Sequence, residues 1–239
     1  MDELAALGPF FAVETHEPGA DPALPWRPLA ELAEPAGLQS RIDTIRGALA
    51  ARSGDGASVG GIDLRVAASV TQLGLVARVV APALAAQAMG QPLDLRLGGL
   101  LWQDTVGGPL PLSVPEPTAG AHGHPAGEPL GPPMATLFGE VITPITAATT
   151  GLAPVSDRVL WGNVASAVNG AAGQLARARP DLAAAAWAIA AAFFRDPRLG
   201  TEPGPPGPSF RRSSCCLIYR LAPGPGGPVC GDCVLAGRR

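Results

Sequence analysis

The chain has 239 residues, long enough to bury a sizeable core in one or two domains, with 47% apolar and only 15% charged residues. Residues 1–204 carry twelve arginines against nineteen acids, whereas residues 205–239 carry five arginines against Asp232 alone. An acidic body with one short basic end excludes general nucleic-acid binding, which needs a broad cationic face.

All seventeen basic residues are arginine, a bias of GC-rich coding from which no function is read. The opening MDELAALGPF has acids where an export signal needs positive charge, so the expected compartment is the reducing cytoplasm. Further on, PLAELAEPAGLQSRIDTIRGALAARSG spaces Ile42, Ile45 and Leu49 as a helix does, with a stop at Gly54-Asp55-Gly56. Residues 62–89 place Val66, Val70, Leu73, Val76, Ala77 and Val80 on one helical face, and Pro82 is expected to kink or end that helix. The stretch VAASVTQLGLVARVVAPALAA reaches the ~20 residues of a membrane span. It contains Arg78 and Pro82, however, and reads as a buried helix, so no transmembrane segment is expected.

The period then changes to two. Leu93, Leu95 and Leu97 alternate, as do Leu110, Leu112 and Val114, with Gly107-Gly108 between them, which predicts a β-hairpin near residues 93–114. Residues 115–133 form a Gly/Pro-rich loop holding His122 and His124, an H-x-H whose bland reading is a solvated loop and whose sharp one is a metal ligand pair. Pro154 and Ser156 predict a helix start, followed by DRVLWGNVASAVNGAAGQLARA with Asn163 and Asn169 inside it. These asparagines are read as hydrogen-bonded side chains beside the alternative of a binding cleft, and Trp102 and Trp161 as core anchors beside that of a ligand pocket. Pro180-Asp181 opens LAAAAWAIAAAFF, expected to be buried all round and too short to span a bilayer. GTEPGPPGPS is a linker, dividing the chain into a helical body (1–204) and a tail (205–239).

All four cysteines lie in that tail, as Cys215-Cys216, thirteen residues, then Cys230-Gly-Asp-Cys233. A protein using cysteine as a small core residue would scatter it, so the thiols act together. Four thiolates complete the shell of one zinc ion or one iron–sulfur cluster. The C-x-x-C half suits either. The vicinal half does not suit a zinc ribbon, because adjacent side chains of an extended chain point to opposite sides. It argues for an uncommon cluster site, with structural zinc as the rival. Arg211, Arg212, Arg220, Arg238 and Arg239 flank the thiols and would offset a negative centre or simply be solvated. No G-x-G-x-x-G after a strand, no P-loop, no Ser/His/Asp set and no paired catalytic carboxylates are legible.

FRRSSCCLIYRL…VCGDCVL resembles the C-terminal signature of the FhuF family of ferric-siderophore reductases, and LWGNVASAVNGAA and LRVAASVTQLGLVARVVAPALAA resemble its helical body. The resemblance implies a cytoplasmic [2Fe–2S] protein with Cys215, Cys216, Cys230 and Cys233 as ligands. It would pass single electrons from an external donor to ferric iron held by a siderophore. The insert APGPGGP (222–228) lengthens the middle spacing beyond the usual family pattern but leaves both cysteine pairs intact. The basic flank suggests Arg211, Arg212 or Arg220 as the approach for an anionic substrate. The expected fold is mainly α, with the small hairpin and the four-cysteine tail docked on the helical body. The rival function is a non-catalytic protein whose tail binds structural zinc and mediates a partner contact.

Overall fold

The computed structural model describes residues 1–53, 58–116, 131–199, 204–221 and 229–235. The Gly54-Asp55-Gly56 stop, His122, His124, the insert 222–228, Arg238 and Arg239 lie outside the described residues. The elements are α1 (Asp2–Ala5), β1 (Glu14–His16), β2 (Arg27–Pro28), α2 (Pro35–Arg52), α3 (Leu64–Ala88), β3 (Leu101–Trp102), β4 (Leu112–Pro115), α4 (Pro132–Thr136), α5 (Thr143–Leu152), α6 (Asp157–Ala178) and α7 (Ala183–Phe193). The fold is mainly helical with one small mixed sheet, in line with the class read from the sequence.

Helix α3 is the axis of the body. Its start is set by Asp63, whose carboxylate accepts from the Arg65 N–H at 2.9 Å, one of the donors a helix start leaves unsatisfied. It packs most extensively on α6 and also meets α2, α5 and α7. Pro82 does not end it: the helix runs unbroken to Ala88. A mid-helix proline costs ~3 kcal/mol, and here every residue from Arg78 to Ala86 is buried, so packing on all sides outweighs that local cost. By length and composition α3 would cross a membrane, but 78% of its apolar window is buried inside the fold, so its hydropathy is not evidence either way.

Arg78 shows how the rest is fastened to that axis. It is 3% exposed, and its guanidinium donates to the carbonyls of Leu110 (2.6 Å), Phe10 (3.1 Å) and Ala12. Burial lowers its pKa to about 10, which leaves it charged at neutral pH. One side chain thus ties the N-terminal segment and the hairpin to α3.

The sheet has the order β1-β4-β3-β2. Strands β3 and β4 form the hairpin, with Trp102 opposite Leu112, and Gly107 between them sits at φ +96°, where an L side chain would be strained. The first arm is therefore residues 101–102. Leu93 and Leu95 are buried and Asp94 and Arg96 exposed, so the alternation is real, but among the described residues the segment pairs with no strand and serves as a connector. Alternation reports which side chains face the core and says nothing of pairing. Strands β1, parallel to β4, and β2, antiparallel to β3, complete the sheet from the N-terminal segment. Trp102 and Trp161 are anchors: Trp102 is 1% exposed and donates to Glu31, while Trp161 packs on Phe138 at 5.7 Å between ring centres.

Between α4 and α5 the helix widens into a π-turn at Leu137–Ile142. Pro144 supplies the cause, since its ring and missing N–H disrupt the bond to residue 140, and a wider turn accommodates the defect. Helix α7 is not buried all round. Ala186, Ile189, Ala190 and Phe193 face inward, while Ala184 and Ala188, one turn apart, are exposed. Alanine is small enough to leave an exposed face at little cost, so composition alone does not reveal it.

The described part of the tail lies against the body. Phe210 is 4% exposed and meets Phe194 edge to face at 5.4 Å, and the Gly207 N–H donates to Asn169 Oδ1 at 2.7 Å.

Candidate functional site: the cysteine cluster

The four cysteines come from two segments of the tail. In the second, the Cys233 N–H donates to the Cys230 carbonyl at 3.1 Å, closing the C-x-x-C turn. That turn is pinned to the first segment by the Arg212 N–H, which donates to the Asp232 carbonyl at 3.1 Å. All four thiols are free. Cys216 and Cys233 are buried, and Cys215 and Cys230 are half-buried.

The vicinal pair is shaped by the residue after it. Leu217 has φ +70°, the left-handed region that a branched side chain avoids. The turn directs the Leu217 N–H to Cys215 Sγ at 3.3 Å and the Ile218 N–H to Cys216. The Leu235 N–H donates to Cys233 Sγ at 3.3 Å in the same way. Backbone donors aimed at sulfur favour thiolates over thiols.

The sulfurs also feel one another. Cys216 and Cys230 lie within hydrogen-bonding reach: the Cys230 thiol, followed by the Ile218 N–H and Arg212, brings Cys216 down to about 6. The same contact, with burial and the Cys216 charge, pushes Cys230 up. Burial raises Cys215, and the charges of Cys216 and Cys233 add to that. Thus the cross-segment pair 216/230 is in contact and Cys215 senses Cys233. Among the described residues, no three His, Cys, Asp or Glu side chains converge closely enough to grip one ion. The thiols are neighbours rather than a finished coordination shell.

Beneath them lies a buried polar seat. Ser69 on α3 donates from Oγ to the Cys216 carbonyl at 2.9 Å. Asn163 on α6 donates from Nδ2 to the Ser69 carbonyl (3.0 Å) and to Gln72 Oε1 (3.0 Å). Its Oδ1 accepts from the Arg212 guanidinium at 2.8 Å. Asn163 and Asn169 are therefore hydrogen-bonded supports, as the blander reading had it. The sequence reading does not include Ser69 and Gln72, although two polar residues three apart in an apolar helix share one face and are a visible signal.

The three arginines part company. Arg212 is 0% exposed, so it cannot meet a substrate, and its proposed part in substrate approach is corrected by its burial. Arg220 is exposed but paired with Asp63 at 3.0 Å, which fastens the tail to the start of α3. Arg211 is exposed and donates to the Phe210 carbonyl at 3.0 Å.

A cleft of about 1000 Å³ opens elsewhere, lined by His16, Asp21, Leu93, Arg96, Glu116 and Thr136. Its lining includes residues 92–96, which follow α3 in the chain, and none of the cysteines. The cysteines and the cleft are thus separate features. No family model matches the chain, and no curated protein matches it in sequence.

Proposed function

We propose that the chain is a ferric-siderophore reductase of FhuF type, acting in the cytoplasm, with Cys215, Cys216, Cys230 and Cys233 as the ligands of a [2Fe–2S] cluster. The observation that carries this reading is the approach of four free thiols from two segments, with backbone N–H groups aimed at three of the sulfurs. Among the described residues the buried Arg212 Nη1 has no hydrogen-bond partner, and Arg212 bonds the Ser214 and Asp232 carbonyls next to Cys215 and Cys233, which suits an anionic centre. Thiols that approach in cross-segment pairs suit a two-metal body better than a single zinc ion, which needs its donors around one point. The quoted tail and helix motifs support the family reading on the residues alone.

When bound, such a cluster supplies one electron at a time. Siderophores are hard oxygen cages that match Fe(III), and adding one electron gives Fe(II), for which the match is poor, so iron is released. The electron comes from an external donor, since no nicotinamide or flavin motif is legible. Within this chain the half-buried Cys215 and Cys230 form the edge nearest solvent, where a ferric complex can approach. Cys216 and Cys233 are shielded by the body.

The test is the optical spectrum and iron content of protein purified without oxygen. Visible absorption with iron and acid-labile sulfide, lost on serine replacement of any one of the four cysteines, is the expected result. A colourless protein that carries zinc would sink the reading in favour of a structural zinc site.

A further inference from the structure

We infer that Arg212 is a built-in counter-charge that raises the reduction potential of the four-cysteine centre, and that Asn163 is the positioning residue that holds it there. This rests on the proposed [2Fe–2S] function.

A buried guanidinium is strongly unfavourable unless its charge and its donors are met. Arg212 is fully buried, with Nε donating to the Ser214 carbonyl at 2.6 Å and Nη2 to the Val159 carbonyl at 3.2 Å and Asn163 Oδ1 at 2.8 Å. Those partners are neutral. Among the described residues no carboxylate forms an ion pair with it, and Nη1 has no hydrogen-bond partner. Its place is beside the cysteines: Nε bonds the Ser214 carbonyl, next to Cys215, and its backbone N–H bonds the Asp232 carbonyl, next to Cys233. Asn163, which accepts from the guanidinium, also donates to Ser69, and Ser69 holds the Cys216 carbonyl.

The consequence follows from charge. A two-iron centre with four thiolates is negative and gains one more negative charge on reduction. A fixed cation in a low-dielectric setting stabilises the reduced form more than the oxidised one, so it raises the potential. Asn163 suits its place because it is neutral. Its amide donates to α3 and its oxygen orients the guanidinium without cancelling the charge. A carboxylate there would neutralise it.

The experiment is potentiometric titration of cluster-loaded wild type, Arg212→Gln, Arg212→Lys and Asn163→Asp, with iron content measured on each. Arg212→Gln and Asn163→Asp are expected to move the midpoint to more negative values, while Arg212→Lys, which keeps the charge but not the fork, stays near wild type. If Arg212→Gln does not fold, Asn163→Asp still reads the effect of cancelling the charge with Arg212 in place. Loaded variants whose midpoints do not move, or an Arg212→Lys shift as large as that of Arg212→Gln, would overturn the counter-charge role while leaving the cluster reading intact. Wild type without iron or visible absorption would overturn both.

Discussion

Leu217 holds the least comfortable backbone among the residues around the cysteines. An L-residue in the left-handed region costs roughly 1–2 kcal/mol, and the return is a pair of N–H groups facing Cys215 and Cys216. Under the proposed function, Leu217→Gly should keep full iron content, because glycine adopts this conformation freely. Leu217→Ile, with a β-branch that worsens the strain, should lose iron during purification, as metal analysis would show. Asp63 gives a second test. The Arg65 guanidinium beside it, with Arg220 adding, holds its carboxyl at about 2 against an ordinary 3.8. A depressed carboxylate stabilises the fold above its unfolded value and loses that contribution as pH falls through the folded one. In metal-free protein, wild type should therefore be more stable than Asp63→Asn at pH 5, with the difference vanishing between about pH 4 and pH 2. A difference that persists at pH 2 would show that the carboxylate's charge is not its source.

Among the elements, α3 is the one on which the others depend. Arg78 projects from it to carbonyls in two separate segments, so its loss leaves several buried acceptors without donors. Each such orphan costs about 1–3 kcal/mol. Arg78→Met, which keeps much of the side-chain volume, should lower the free energy of unfolding by at least about 2 kcal/mol in denaturant titration. The helical circular dichroism of the folded state should survive. A change within about 0.5 kcal/mol, the range of an ordinary surface substitution, would mean the clamp contributes little. The same helix explains the outcome at Pro82, where burial on every side overrides a local helix breaker.

Taken together, the body carries excess acid and the tail excess arginine, yet the basic residues near the cysteines do different work. Arg212 is sealed inside and Arg220 is paired with Asp63, which leaves Arg211 as the exposed cation whose described contact is a neutral carbonyl. Under the proposed function, Arg211→Ala should slow reduction of an anionic ferric siderophore several-fold at low ionic strength. The effect should fade at ~0.15 M salt, where screening acts over about 8 Å. The midpoint potential should stay put. A slowdown independent of salt would remove the steering role. The large cleft has no cysteine in its lining, which gives the same experiment a second use, because substitutions at Glu116 or Asp21 should leave this rate alone.

The class of the fold and the residues of the candidate centre were legible along the chain, because both depend on local signals. Helical spacing marks α2, α3 and α6 as helices, although Ile45 and Leu49 of α2 and Val70, Leu73 and Ala77 of α3 are only half-buried, and confinement of every cysteine to residues 215–233 needs no three-dimensional information. The misses share one cause, namely that each was decided by neighbours distant in sequence. Residues 93–97 alternate like a strand, but pairing went to residues 101–102, and β1 and β2 are too short to show any period. Pro82 reads as a stop until the fold buries every residue from Arg78 to Ala86. Arg212 reads as one more exposed arginine of a polar tail. It is buried because Asn163, Val159 and Ser214 offer its donors partners that no local pattern announces, and burial is what turns a surface charge into a fixed field at the sulfurs.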